Sequence, residues 1–210
     1  MHQEPHRPLL RPWRETLRPP EGVGPQWEAL YSPLVSRGAG DLGWRVLHGA
    51  LASGEILRHF TDSDAACPFC GQSESVSHIY FLCARLQPFF LLLKNMLLQF
   101  WLHFSPTLLI FGHPVHGSTK KRDLLVNLLL ALAKLAIYKT RKRKMIGEGL
   151  FDCGAMFRAL VRSRINLEHA HAESAGDMAT FVDQWALGGV LCTTPPLCFQ
   201  HLILEKNWFS

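Results

Sequence analysis

The sequence predicts a mainly α-helical protein, a helical bundle to which a small cysteine-containing module is attached. Apolar residues recur at helical spacing in several long segments. The most regular of these, residues 123–144, is apolar on nearly all sides, which is typical of a helix buried in a bundle. Of the 210 residues, 48% are hydrophobic and 19% are charged, a composition that suits a globular core.

Residues 1–26 are predicted to form a flexible arm. This segment is rich in proline and arginine, and its few apolar residues follow no period, so folding would bury too little surface to offset the entropy of ordering. From Trp27 the apolar spacing becomes helical. Asp41 is the expected N-cap of a helix whose apolar residues extend to Leu57.

The remaining segments follow from turn residues and apolar periods. The helical unit at 27–104 contains a turn-rich link at 61–66, the cysteine cluster at 67–83 and an apolar helix from 86 to about 104. Residues 105–119 are predicted to be a linker loop with an extended segment at 108–111. A C-terminal helical region at 120–192 holds helices at 123–144, 155–173 and 177–187. Two prolines make residues 193–210 an irregular tail.

Three cysteines and one histidine have the spacing of a zinc site, Cys67-x2-Cys70-x7-His78-x4-Cys83. Zinc binds thiolates and imidazoles tetrahedrally, and two residues between the first cysteines let both sulfurs converge. Four protein ligands leave no coordination position for substrate, so the predicted Zn²⁺ is structural. The predicted fold is therefore a zinc knuckle stapled to a helical bundle. The alternative is three buried free thiols and a surface histidine.

Local geometry makes specific demands on this module. Gly71 gives the backbone freedom to turn sharply after Cys70, and Ser73 or Ser75 is expected to cap the short helix that carries His78. On a regular helix His78 and Cys83 would lie about 140° apart, because each residue advances about 100°. The helix must therefore end or tighten near Leu82.

The other potential metal ligands are interpreted as structural residues. Cys153, Cys192 and Cys198 have the character of small core residues. His113 and His116 lie in a glycine-rich loop without an evident third partner, and His169 and His171 point to different sides of a helix. All four histidines are interpreted as non-ligands.

Cysteine usage and the N-terminal residues indicate an intracellular protein of the nucleus or cytoplasm. Six cysteines are too few for a disulfide scaffold, and no secretory signal precedes residue 26. Two apolar stretches, 89–111 and 124–137, are interpreted as buried helices. The first is interrupted by polar residues, and the second is shorter than the roughly 20 residues that a bilayer requires.

Two basic clusters predict RNA or DNA as a partner, and the net charge of +5 permits such a polyanion without requiring one. The clusters consist of Lys120, Lys121 and Arg122, and of Lys139, Arg141, Lys142, Arg143 and Lys144. Phe69 and Tyr80 are candidates to stack on unpaired bases. The alternative is that the clusters are solvated helix ends and that the aromatic rings belong to the core.

The stretch Trp44–Gly49, the Cys67–Gly71 turn, His78 and Cys83 together resemble the reverse-transcriptase zinc-binding domain of non-LTR retrotransposons. Residues 40–42, 134–144 and 185–192 are similar to the C-terminal tail of vertebrate LINE-type polyproteins, so the resemblance covers roughly residues 27–192. It implies that the three cysteines and His78 are metal ligands. In that family the module follows an endonuclease and a reverse transcriptase, and its implied role is to hold RNA or target DNA near the polymerase.

The chain is predicted to be non-catalytic. A polymerase requires paired carboxylates for two magnesium ions, and no Asp-Asp pair occurs in the sequence. Asp152, His169 and Asp177 lack the mutual spacing of a catalytic set. The predicted function is a zinc-binding, nucleic-acid-contacting module derived from a retrotransposon polyprotein. The alternatives are a scaffold module that packs on a reverse-transcriptase domain or another protein, and a degenerate fragment without retained activity.

Overall fold

The computed structural model describes residues 11–59, 66–148 and 152–186, and the structural statements below concern these ranges. Within them the chain forms helices and helical turns, with an isolated β-bridge between Ala66 and Ser73, so the predicted mainly α fold is confirmed. The predictions for residues 1–10, 60–65, 149–151 and 187–210, including Cys192 and Cys198, lie outside the described residues.

The helices of the described residues are α1 (Arg11–Leu17), α2 (Trp27–Leu30), α3 (Arg37–Leu47), α4 (Gly54–Leu57), α5 (Gln87–Leu98), α6 (Pro106–Phe111), α7 (Lys120–Met145), α8 (Cys153–Ala175) and α9 (Met178–Trp185). A π-helical turn at His78–Leu82 and 3-10 turns at Ala84–Leu86 and Gly117–Thr119 complete the regular structure. Among these residues, no helix combines the length and apolar character that a membrane span requires.

Helix α7 is the central element of the bundle. It packs against α2, α3, α8 and α9, and most of its residues from Leu125 to Ile137 are buried. A helix that is apolar on nearly every side can satisfy all of its faces only in this position, as the sequence predicted. Lys134 is also buried there, and its ammonium donates a hydrogen bond of 3.1 Å to the carbonyl of Leu109. This bond ties α7 to α6.

The N-terminal arm differs from the prediction, because residues 11–17 form a helix. Trp13 of α1 is only 4% exposed. Its indole N–H donates to the carbonyls of Val46 and Leu47 at 3.1 and 3.0 Å. These carbonyls lie in the last turn of α3, where helix geometry leaves backbone acceptors without intrahelical partners. A distant tertiary contact therefore orders a segment whose own composition does not predict order.

The helix predicted from Asp41 to Leu57 is two helices in the structure. Helix α3 begins at Arg37 after Ser36, so Asp41 lies within it, where its carboxylate accepts a hydrogen bond from the Tyr31 hydroxyl. The helix ends at Leu47, and Gly49 follows with a φ of +62°. The chain then turns before α4. The prediction was wrong because apolar residues continue at helical spacing across this turn, so the period did not show where the first helix ends.

The segment 108–111, predicted to be extended, belongs to helix α6. The hydroxyl of Ser105 accepts a hydrogen bond from the Leu108 amide at 3.1 Å, and Pro106 takes the first helical position. A serine cap followed by proline is a helix-start signal. The apolar run was too short for its period to distinguish helix from strand.

Among the described residues, the hydrogen bonds show a Schellman motif, a C-terminal turn with one residue in the left-handed region, at the ends of four helices. At the ends of α3, α7 and α8 that residue is glycine, namely Gly49, Gly147 and Gly176. At the end of α5 it is Trp101, with a φ of +58°. The amide of Trp101 donates to the Leu98 carbonyl and the amide of Leu102 to the Leu97 carbonyl, each at 3.0 Å. Helix α5 therefore ends at Leu98, short of the predicted residue 104.

We expect Trp101→Gly to stabilise the protein. Left-handed geometry costs an L-residue about 1–2 kcal/mol, and glycine avoids this cost but loses more chain entropy on folding. The Trp101 side chain is 90% exposed, so its loss removes little packing. The expected gain in the free energy of unfolding is about 0.5–1 kcal/mol, measured by urea denaturation. Trp101→Ala is the control, because it removes the ring but keeps the unfavourable φ. An equal gain in both variants would contradict the backbone explanation.

Candidate metal centre

The first two cysteines lie in a tight loop that the sequence largely specifies. The β-bridge between Ala66 and Ser73 closes the loop at its base. Inside it, the Cys67 amide donates to the Gln72 carbonyl at 2.7 Å, and the Gly71 amide donates to the Cys67 carbonyl at 2.8 Å. Gly71 has a φ of +75°, the conformation predicted for the turn. Residues 66–83 are called the knuckle below.

The second half of the knuckle is a helical turn that widens to π-helical geometry before it ends. The Ser75 hydroxyl accepts a hydrogen bond from the His78 amide at 3.0 Å, which confirms one of the two predicted caps. The Cys83 amide then donates to the His78 carbonyl at 3.0 Å, a five-residue π-helical closure. This closure brings residues five apart close together, and π-helical turns, which are rare, are frequently found at functional sites. The turn ends at Leu82, as predicted.

These two halves bring the four predicted ligands together. Their ligand atoms all lie within 4.8 Å of one another. The sulfurs of Cys67 and Cys83 are 3.9 Å apart, and the sulfur of Cys70 is 3.2 Å from Nε2 of His78. Ligands at 2.0–2.3 Å from a tetrahedral ion are separated by about 3.3–3.8 Å. A disulfide would require about 2.05 Å, so the cysteines are free thiols. The four residues fit one metal ion.

Burial favours the neutral form of the thiols in this cluster unless a cation is bound. Cys67, Cys83 and His78 are buried, and Cys70 is partly exposed. Desolvation raises the pKa of Cys67 to about 12 and also raises the pKa of Cys83. A metal ion binds the thiolate form, so it must displace these protons and compensate the buried negative charge. The arrangement can hold an ion, and with all four positions taken by the protein it leaves none for substrate.

An ion pair that the sequence analysis missed ties the knuckle to α7. Glu74 lies between Cys70 and His78 in the sequence and is fully buried. Its carboxylate oxygens accept hydrogen bonds from Nε of Arg141 at 2.5 and 2.8 Å. A second guanidinium nitrogen of Arg141 donates to the Ala52 carbonyl at 3.1 Å. Arg141 was predicted to contact nucleic acid, but this side chain is buried and occupied. The sequence does not reveal this pairing, because the two residues are 67 positions apart and Arg141 belongs to a run of similar basic residues.

The other residues of the two basic clusters occupy opposite ends of α7. Lys139, Lys142, Arg143 and Lys144 are exposed near its C-terminus, and Lys120 and Lys121 are exposed at its start. Lys120 and Lys144 are about 36 Å apart along the helix. The N-terminal cluster is partly neutralised, because Lys121 pairs with Asp183 and Arg122 pairs with Asp123. The two clusters therefore form separate surfaces.

The two aromatic candidates differ in accessibility. Tyr80 is fully buried and belongs to the core, so the prediction that it stacks on bases was wrong. Phe69 is partly exposed at the tip of the knuckle, and the ammonium of Lys144 lies 6.0 Å from the centre of its ring. Trp44, from the segment that carried the family resemblance, packs edge-on against His48 at 4.0 Å between ring centres. Its ring remains 43% exposed.

A comparison with curated proteins bears on the origin of this chain. Over 199 residues, which are 94% of the chain, the sequence is 57% identical to the Transposon TX1 uncharacterized 149 kDa protein of Xenopus laevis. The chain is homologous to part of a transposon protein. It spans 15% of the length of that relative. No family model matches the chain and no solved structure matches it, so the reverse-transcriptase zinc-binding domain stays a prediction.

We expect Cys70→Ser to lose one equivalent of bound divalent metal per chain. Serine is a poor ligand for soft cations, and the three remaining residues leave the ion exposed. Metal content after gel filtration, measured by mass spectrometry, tests this. Cys153→Ser is the matched control, because Cys153 is a buried cysteine of α8 that is not among the four clustered ligand residues. An unchanged metal content in Cys70→Ser would contradict the site.

We also expect Glu74→Gln and Arg141→Met to destabilise the metal-saturated protein by about 3–5 kcal/mol each, because each leaves a buried charge without its partner. The double variant should lose less than the sum of the two, since it removes both charges together. Urea denaturation measures these differences. Lys142→Ala, which changes an exposed residue of the same helix, should stay within about 0.5 kcal/mol of the native protein. Additive losses would show that the pair is not coupled.

Proposed function

We propose that this chain is a non-catalytic module in which a structural zinc ion fixes a surface that binds single-stranded nucleic acid. The observation on which this rests is the contact between Phe69 and Lys144, because it joins the tip of the knuckle to the basic end of α7. Proteins that bind single strands combine a positive surface with aromatic rings on which bases stack.

The donor set supports zinc as the ion. Three thiolates and one imidazole suit zinc in tetrahedral geometry, whereas magnesium and calcium prefer oxygen ligands. When bound, the ion would supply the cross-link between the Cys67 loop and the π-helical turn. This cross-link would also hold Phe69 and Glu74 in position, since both lie between the ligand residues. Structural zinc in small modules contributes folding free energy directly.

The charge near the knuckle supports a phosphate-containing partner. Lys139, Lys142, Arg143 and Lys144 project from the last turns of α7, and Arg141 within the same run is directed inward to Glu74. The buried pair fixes the orientation of this end of the helix, so the exposed cations have a defined relation to Phe69. Cationic side chains that neutralise phosphates release counterions and bind irrespective of base sequence. The kinship with a transposon protein is consistent with an RNA or DNA partner.

A protein-interaction role is the second candidate, and the exposed apolar residues of α5 favour it. Leu91 and Leu98 are 58% and 41% exposed, and Trp101 beyond them is 90% exposed despite its strained backbone. Strain retained at an exposed residue points to a role outside the isolated chain. The apolar residues of α7 do not support this candidate, since they are buried in this chain's own core.

We expect zinc-loaded protein to bind single-stranded RNA with an affinity that falls with salt. If the end of α7 neutralises about three phosphates, log K falls with log salt at a slope near −2. Lys144→Gln should weaken binding and reduce the slope by about 0.7, which is the share of one phosphate. Fluorescence anisotropy across a salt series measures both values, with single-stranded DNA and duplex as comparison ligands.

Lys94→Gln is the matched control for this assay. Lys94 is an exposed lysine of α5, so the substitution removes the same charge from outside the basic end of α7. Equal effects of the two substitutions would indicate attraction by net charge alone and would count against a defined surface. A salt-independent affinity, or an oligomer indifferent to RNA in light scattering, would favour the protein-interaction candidate.

A further inference from the structure

A second group of potential metal ligands lies away from the knuckle, where α6 leads into α7. His113, His116 and Asp123 present ligand atoms that all lie within 4.8 Å of one another. The sequence analysis treated both histidines as non-ligands because no third partner was evident. The third partner is Asp123 in the first turn of α7, and the spacing did not reveal it because the 3-10 turn at Gly117–Thr119 folds the loop back onto the helix.

The loop that carries these residues is held by hydrogen bonds from both sides. The Asn127 side chain accepts from the His113 amide and donates to the His113 carbonyl, each at 2.8 Å. Oδ2 of Asp123 accepts from the His116 amide at 3.0 Å and from the Thr119 hydroxyl at 2.7 Å. The backbone at His113 and His116 and the carboxylate of Asp123 are therefore held in place before any ion binds, and preorganisation of this kind favours metal affinity.

The imidazole of His113 is mostly buried, and its Nε2 has no hydrogen-bond partner among the described residues. Its Nε2 lies 3.2 Å from Oδ1 of Asp123, but the geometry gives no hydrogen bond. The side chain is 12% exposed, and buried polar atoms of this kind are usually bonded.

The other two ligands add a carboxylate and a solvent-facing imidazole. Asp123 is fully buried; burial alone would raise its pKa, but its hydrogen bonds, first that from Thr119, lower the pKa to about 2. Nδ1 of His116 lies 3.3 Å from Oδ2 of Asp123, and the His116 side chain is 62% exposed.

We propose that His113, His116 and Asp123 form a second site for a zinc-type divalent cation, with one coordination position open to water. Two imidazoles and one carboxylate are a known ligand set for such ions.

Arg122 provides the charge that competes with this ion. Its guanidinium donates to Oδ1 of Asp123 at 3.1 and 3.2 Å, and its side chain is 35% exposed. A cation that binds Oδ1 displaces this group toward solvent. Arg122→Gln should therefore tighten the second site by about tenfold or more, because a positive charge a few ångströms away opposes cation binding by at least that factor. A purely structural hydrogen-bonded loop would gain no metal affinity from this substitution.

Metal stoichiometry of the full chain tests the proposal. Protein equilibrated with excess Zn²⁺ and gel-filtered should hold two equivalents, and His116→Gln should hold one. His116 is exposed, so this variant should keep the native circular dichroism spectrum. His113→Gln removes the other histidine ligand and should also reduce the zinc content to one equivalent. His103→Gln is the matched control, since it changes an exposed histidine outside the cluster. In a Co²⁺ titration, the knuckle should give thiolate-to-cobalt absorption and the second site should not.

The outcomes separate this site from the knuckle. One equivalent in the native protein at saturating zinc would overturn the second site, as would a second equivalent that survives both histidine substitutions. The knuckle and its proposed surface would be untouched by either result. Loss of the thiolate-to-cobalt absorption in Cys70→Ser would in turn report on the knuckle alone.

Discussion

The convergence of Cys67, Cys70, His78 and Cys83 on one point constrains the structure around it. Two short segments must be shaped for it, a loop closed by a β-bridge and a turn widened to π-helical geometry. Neither shape is the usual form of an isolated peptide, and π-helical turns are rare and frequently found at functional sites. Cys67 and Cys83 are buried, and their ionised forms would need a nearby cation to balance the charge. A metal ion bound at this point would account for both local shapes.

The same constraint reaches the centre of the bundle through Glu74. Its carboxylate accepts a hydrogen bond from Arg141 in the last third of α7, 67 residues further along the chain. One run of cations consequently has two roles. Arg141 is buried as part of the fold, whereas Lys142 and Lys144 beside it face solvent. The helical period separates these roles, because successive residues point in directions about 100° apart.

The two ends of α7 have different electrostatic character. At the N-terminal end, Asp123 and Asp183 engage Arg122 and Lys121, and the buried carboxylate of Asp123 organises the preceding loop. At the C-terminal end, Lys139, Lys142 and Lys144 are exposed, and Lys144 lies near the ring of Phe69 in the knuckle. This asymmetry makes the C-terminal end the better candidate for a polyanion and the N-terminal end the better candidate for a single cation. Net charge alone would not distinguish them.

The sequence by itself determined the helical class, the position of the central helix, the four candidate metal ligands of the knuckle and the kinship with a transposon protein. These features depend on period, composition and close spacing, which are local properties of the chain. Only the tertiary structure decided that Trp13 orders an N-terminal helix, that Arg141 is buried against Glu74 and that Asp123 joins His113 and His116. Each of these depends on an approach between segments set by packing. A residue's chemical type allows such a contact, but the fold decides whether it forms.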